Sequence, residues 1–132
     1  MKDETRVWLR YAEENQEAAR LLLEQKLYNP CLQNIQQAVE KGLKSLLLEK
    51  SHRYRKTHAI TELVTLLAQD GIAIQLKEED CDLLDAIYLP SKYPLGSVLP
   101  AFEPDHDLCC RCLMLAESVL EQVRQKLLVV EK

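Results

Sequence analysis

The chain has 132 residues, 47% of them hydrophobic and 29% charged, with 17 Lys and Arg against 21 Asp and Glu for a net charge of −4. That length predicts a single domain over residues 1–132, and the composition excludes a disordered chain. The acidic balance argues against a general nucleic-acid coat or a membrane-surface protein, and no apolar run is long enough to span a bilayer. The charged first ten residues lack the apolar core of a secretory signal, so the expected location is the cytoplasm. Five cysteines without such a signal (Cys31, Cys81, Cys109, Cys110 and Cys112) read as reduced thiols. The cluster at 109–112 has no second pair to complete a metal site. Cys109 and Cys112 instead fall on an apolar helix face, where a thiol packs as a small hydrophobe. Neither a metal nor a cofactor is expected.

Nearly every window repeats at helical period. A first helix is predicted over residues 3–26, with Trp8, Tyr11, Ala12, Ala19, Leu22 and Leu23 as its buried stripe. Asn29 and Pro30 predict the next start, Asn as cap and Pro in the first turn. The second helix carries Cys31, Ile35, Ala38, Gly42 and Leu46 on one face and ends near Lys50. Gly42 costs about 1 kcal/mol relative to Ala inside a helix, which points to a close helix crossing there. Residues 51–57 form a basic connection. A third, shorter helix follows with Ile60, Leu63, Val64 and Leu67, stopped at Gly71. A fourth is predicted over residues 77–88, presenting Leu84, Ile87 and Tyr88. Pro90, Pro94, Pro100 and Pro104 forbid regular structure across residues 89–104. Asp105 or Asp107 caps a last long helix whose face is Cys109, Cys112, Leu113, Ala116, Val119, Leu120, Val123 and Leu127. The predicted fold is an all-α, up-and-down antiparallel bundle of about five helices, three of them long.

Charge is uneven along the chain. Residues 41–58 hold six basic side chains (Lys41, Lys44, Lys50, Arg53, Arg55, Lys56) against Glu49, a balance of +5, whereas residues 59–132 sum to −7. The cationic stretch reads either as helix-end cations that complement a dipole or as a site for phosphate. No Gly-rich phosphate loop, nucleophile elbow or His-Glu-x-x-His string is present.

Four strings in order resemble the HEPN family of small helical domains, over almost the whole chain. Trp8 and Ala12, then Ala19, Leu22 and Leu23, resemble the family's opening helix. Gln36-Gln37-Ala38-x-Glu40-Lys41-x-Leu43-Lys44 resembles its most distinctive segment, and Thr57-His58 the start of its third helix. Tyr88-x-Pro90-Ser91-Lys92-Tyr93-Pro94 resembles its Tyr-Pro loop, with Lys92 where Arg is usual. Lysine keeps the positive charge but lacks the bidentate fork.

The resemblance implies one of two roles. In one, the domain binds a nucleotide and works beside a minimal nucleotidyltransferase subunit without catalysis of its own. Lys41, Lys44 and His58 at the basic end of the second helix, with Lys92 and Tyr93, would then bind the ligand, the lysines holding phosphate and Tyr93 stacking on a base. In the other it is a metal-independent ribonuclease, the toxin of a toxin–antitoxin pair, with an Arg-x4–6-His site and RNA as substrate. Arg53 and His58 fit that spacing, with His as acid or base and Arg on the phosphate. Tyr54 and Ala59-Ile60 depart from that branch, which usually has Asn or Asp after the Arg and Tyr after the His. The first role is therefore the expectation. A structural dimerisation module without a ligand is the third reading. Homodimerisation is expected because Val7, Leu9, Leu32, Val39 and Leu43 lie off the main stripes.

Overall fold

Five helices, and no strand, form among the residues described by the computed structural model, which are 1–50, 56–87 and 103–130 (129 and 130 as backbone only). They are α1 (Asp3–Glu24), α2 (Tyr28–Lys50), α3 (Ile60–Gln69), α4 (Glu78–Ala86) and α5 (His106–Val130). The protein is an all-α helical bundle, and no described helix is long and apolar enough to cross a membrane.

The helix ends follow local chemistry. α1 stops at Glu24, two residues before the predicted limit, because Lys26 adopts a left-handed conformation at φ 61°. The Lys26 N–H then bonds to the Leu23 carbonyl at 3.0 Å and the Leu27 N–H to the Leu22 carbonyl at 2.9 Å. This pair of bonds satisfies carbonyls that the helix end would leave open. α2 begins at Tyr28 rather than after an Asn29 cap, and the Leu27 carbonyl accepts the first bond from the Cys31 N–H at 3.1 Å. Pro30 therefore lies inside the first turn, where its missing N–H has no helical partner to lose. Gly71, at φ 80°, ends α3 as predicted. Asp105 caps α5, its carboxylate accepting the Leu108 N–H at 2.8 Å.

α1 and α2 pair antiparallel, since Thr5 reaches Glu49 and Asn15 reaches Asn34. α5 runs antiparallel to α1, joined by Arg20 to Glu117 at 3.2 Å and by Arg124 to Glu13 at 3.2 Å. Its eight predicted core positions are all buried. α2 is buried over much more than one stripe: Leu32, Val39 and Leu43 are 0% exposed beside Cys31, Ile35 and Ala38. These three residues were expected to remain outside the core and support a dimer. They are instead used within the chain, because α1, α3 and α5 cover α2 from different sides. At the α2–α5 crossing, a Cβ on Gly42 would run into the Leu120 side chain, so the backbone comes close only because glycine is there.

α3 and α4 flank the bundle. Asp85 of α4 accepts the Ile60 N–H at 2.5 Å, the Thr61 N–H at 3.1 Å and the Thr61 hydroxyl at 2.6 Å. It thereby caps α3 from another helix. The segment 72–77 is held to α5 by Gln122, which accepts from the Gln75 N–H at 2.7 Å and donates to the Gln75 carbonyl at 3.0 Å. Cys31, Cys81, Cys109 and Cys112 are buried free thiols. Burial raises each of their pKa values, that of Cys81 and of Cys112 to about 11.

Candidate functional site

Helical spacing places Gln36, Glu40 and Lys44 of α2 one turn apart on a single face. Glu40 is 3% exposed and Lys44 4%. Two charges that deep are tolerable only when paired and fully hydrogen-bonded. Lys44 Nζ donates to Glu40 Oε2 at 2.6 Å. Nδ1 of His58, from the connection before α3, lies 3.1 and 3.2 Å from the two Glu40 oxygens. Gln36 Nε2 donates to Glu40 Oε1 at 3.3 Å and to the His58 carbonyl at 3.1 Å. Gln37 Nε2 in turn donates to Gln36 Oε1 at 2.8 Å. The Lys44 ammonium also sits 5.6 Å from the centre of the Trp8 ring, within cation–π range.

One step along the α1–α2 seam, Lys41 Nζ donates to Asn15 Oδ1 at 3.0 Å, and Asn15 Nδ2 donates to Asn34 Oδ1 at 2.9 Å. The Lys41 ammonium lies 5.9 Å from the centre of the Tyr11 ring, and the Arg10 guanidinium 5.5 Å from the same centre. Tyr11 was expected on the buried stripe. It is 46% exposed, because its neighbour Ala12 occupies the inward position at 0%.

The structure thus brings three of the predicted residues, Lys41, Lys44 and His58, to one stretch of α2 and the start of α3. Lys44 was expected to hold phosphate, which needs an outward side chain. It turns inward instead, because Glu40 one turn earlier is itself buried and needs a counterion. His58 was expected to open α3. It precedes the helix by two residues, and capping falls to Asp85. Its side chain is 56% exposed while Nδ1 is held by Glu40. Lys92, Tyr93 and Arg53 lie outside the described residues. The residues that sequence reasoning passed over are Glu40, Gln36, Tyr11 and Asp85. The i, i+4 spacing of Gln36, Glu40 and Lys44 was the available signal for the first two. A surface depression of about 520 Å³, bounded by Ile74, Leu76, Asp80 and Leu115, shares no residue with this network.

Chemically, the Glu40–Lys44 pair is self-compensated and orients the His58 ring. Lys41 provides the positive charge that a ligand could meet.

The HEPN domain family model matches residues 5–126 of the chain. No curated protein matches it. Among solved structures it is similar to TT1696 from Thermus thermophilus, with 27% identity and a TM-score of 0.79 over 95% of this chain and 99% of that one. It is also similar to ST0689, an archaeal HEPN homologue, with 25% identity and a TM-score of 0.72 over 96% and 98% of the two chains.

Proposed function

The chain belongs to the HEPN domain family, and on that premise we propose that it is a non-catalytic nucleotide- or phosphate-binding domain that partners a nucleotidyltransferase subunit. The observation that carries this reading is Lys41, held by the neutral Asn15 and next in sequence to a buried Glu40–Lys44 pair that balances its own charge and holds His58. A cation whose neighbouring carboxylate is already engaged keeps its charge for an anionic ligand. Glu40 holds Nδ1 and so fixes the orientation of the His58 ring. Lys92 and Tyr93 belong to the same proposal, Lys92 as a further cation for phosphate and Tyr93 as a further contact to the nucleotide. The domain acts in the cytoplasm as a homodimer. Exposed Val7, Leu21, Leu27, Met114 and Leu128 supply apolar surface for such an association.

Calorimetric titration with ATP at low salt tests the reading. Binding should weaken as salt rises, because exposed charges are screened over about 8–10 Å near physiological ionic strength. Lys41→Glu should weaken it without unfolding the chain. Absence of binding, with and without a nucleotidyltransferase subunit, refutes the proposal. Metal-independent cleavage of single-stranded RNA in EDTA that disappears in His58→Ala replaces it with the ribonuclease.

A further inference from the structure

We infer that Tyr11 is the stacking platform for the base of the bound nucleotide, with Arg10 and Lys41 contacting its phosphates. This inference rests on the nucleotide-binding reading above and places the recognition of the base on the α1–α2 seam.

Three observations carry it. Tyr11 is 46% exposed at mid-helix, and the full burial of Ala12 fixes the rotation of α1 so that the ring cannot turn inward. Two cations from two different helices, Arg10 and Lys41, lie within 6 Å of that one ring centre, at 5.5 and 5.9 Å. A ligand that is aromatic at one end and anionic at the other complements this arrangement, and cation–π contacts at an exposed ring are weak enough for a base to displace. Finally, Lys41 is pre-positioned. Its ammonium is held by Asn15, which is held in turn by Asn34, so less side-chain freedom is lost on binding. Glu40, next to Lys41 in sequence, is engaged by Lys44 and His58 and does not neutralise it.

A free nucleoside phosphate and one nucleotide of a single strand share this chemistry. The test titrates the whole chain with ATP, inorganic tripolyphosphate and a short oligoadenylate. The signals are calorimetry and the fluorescence of Trp8, the sole tryptophan, one turn from Tyr11. Tyr11→Ala should weaken ATP binding by roughly 5- to 150-fold, the range for one stacked base, and leave tripolyphosphate binding unchanged. Tyr11→Phe should keep the wild-type affinity. Oligoadenylate binding tighter than ATP would make a strand the source, and ATP binding as tight or tighter would make it the free nucleotide, the platform holding either way. Equal ATP affinity in wild type and Tyr11→Ala overturns the inference while leaving the nucleotide-binding reading in place. If neither ATP nor tripolyphosphate binds, both fall together.

Discussion

Helix α2 is buried on two sides by different physics. Towards α5 it presents Ala38 and Gly42, which pack with Ala12 around Leu120. Towards α3 it presents Gln36, Glu40 and Lys44, closed by His58. The first contact is a matter of shape, in which an added carbon does harm. The second is a matter of balance, in which a missing partner does more harm than two. One helix thus carries a steric seam and an electrostatic seam on roughly opposite faces, and substitutions should separate them.

The largest effect is expected at the electrostatic seam. Glu40→Leu strands the buried Lys44 ammonium and should cost about 3–5 kcal/mol of unfolding free energy in urea. Lys44→Met should cost less, because His58 and Gln36 remain on the Glu40 carboxylate. The double variant Glu40→Leu/Lys44→Met should recover most of the loss, since it removes both charges from the interior. Additive losses in the double variant would show that the two charges are not coupled, and the distinction between the seams would break.

The two seams also differ in how far they could be read from the sequence. The α5 face and the Gly71 stop follow from periodicity and from glycine's tolerance of positive φ, which are local properties. The end of α1 does not, because Lys26 takes a left-handed conformation with no glycine to announce it. α2 was read as a single stripe, whereas three neighbours cover it, so Leu32, Val39 and Leu43 were misplaced. The string Gln36 to Lys44 was recognisable, but the inward turn of Lys44 depends on the depth of Glu40 and on where α1 carries Trp8. Asp85 was invisible for a related reason. It caps a helix 25 residues earlier in the chain, a relation that exists only once α3 and α4 have packed.

The steric seam is sharpened by substituting Gly42. Alanine has the better helix propensity, by about 1 kcal/mol, but its Cβ meets Leu120, which is fully buried and has little room to yield. Overpacking of this kind typically costs about 1–3 kcal/mol. Gly42→Ala should therefore be destabilised by up to about 2 kcal/mol in urea. In a Leu120→Ala background the same change should become neutral or favourable. An unaltered penalty in that background would mean that the crossing is not what selects glycine.

Asp85 lies outside both seams and calibrates them. Asp85→Ala removes three hydrogen bonds at the start of α3. The expected loss is about 1–2 kcal/mol, as for the loss of a strong N-terminal cap. Hydrogen exchange should show the loss first at the amides of Ile60 and Thr61. Protection there equal to wild type would contradict the capping role.

The smallest effect concerns the thiols, which belong to the apolar side of the comparison. Cys81 and Cys112 are pushed up from 9.0 to about 11, mainly because burial disfavours the thiolate. In the unfolded chain they ionise near their ordinary value while the folded chain still holds the protons. Above that pH the unfolded state binds fewer protons than the native one, so unfolding free energy must fall as pH rises. The decline should begin near pH 9 and continue to about 11. It should shrink in a Cys81→Ala/Cys112→Ala variant, measured against that variant's own stability at pH 7. Alkylation at mildly alkaline pH gives the kinetic counterpart. Cys110, which is only partly buried, should react in the folded protein, and the four buried thiols only on unfolding. Rapid labelling of Cys81 or Cys112 under native conditions would mean that the apolar packing opens readily, and that shape holds the bundle less firmly than charge balance does.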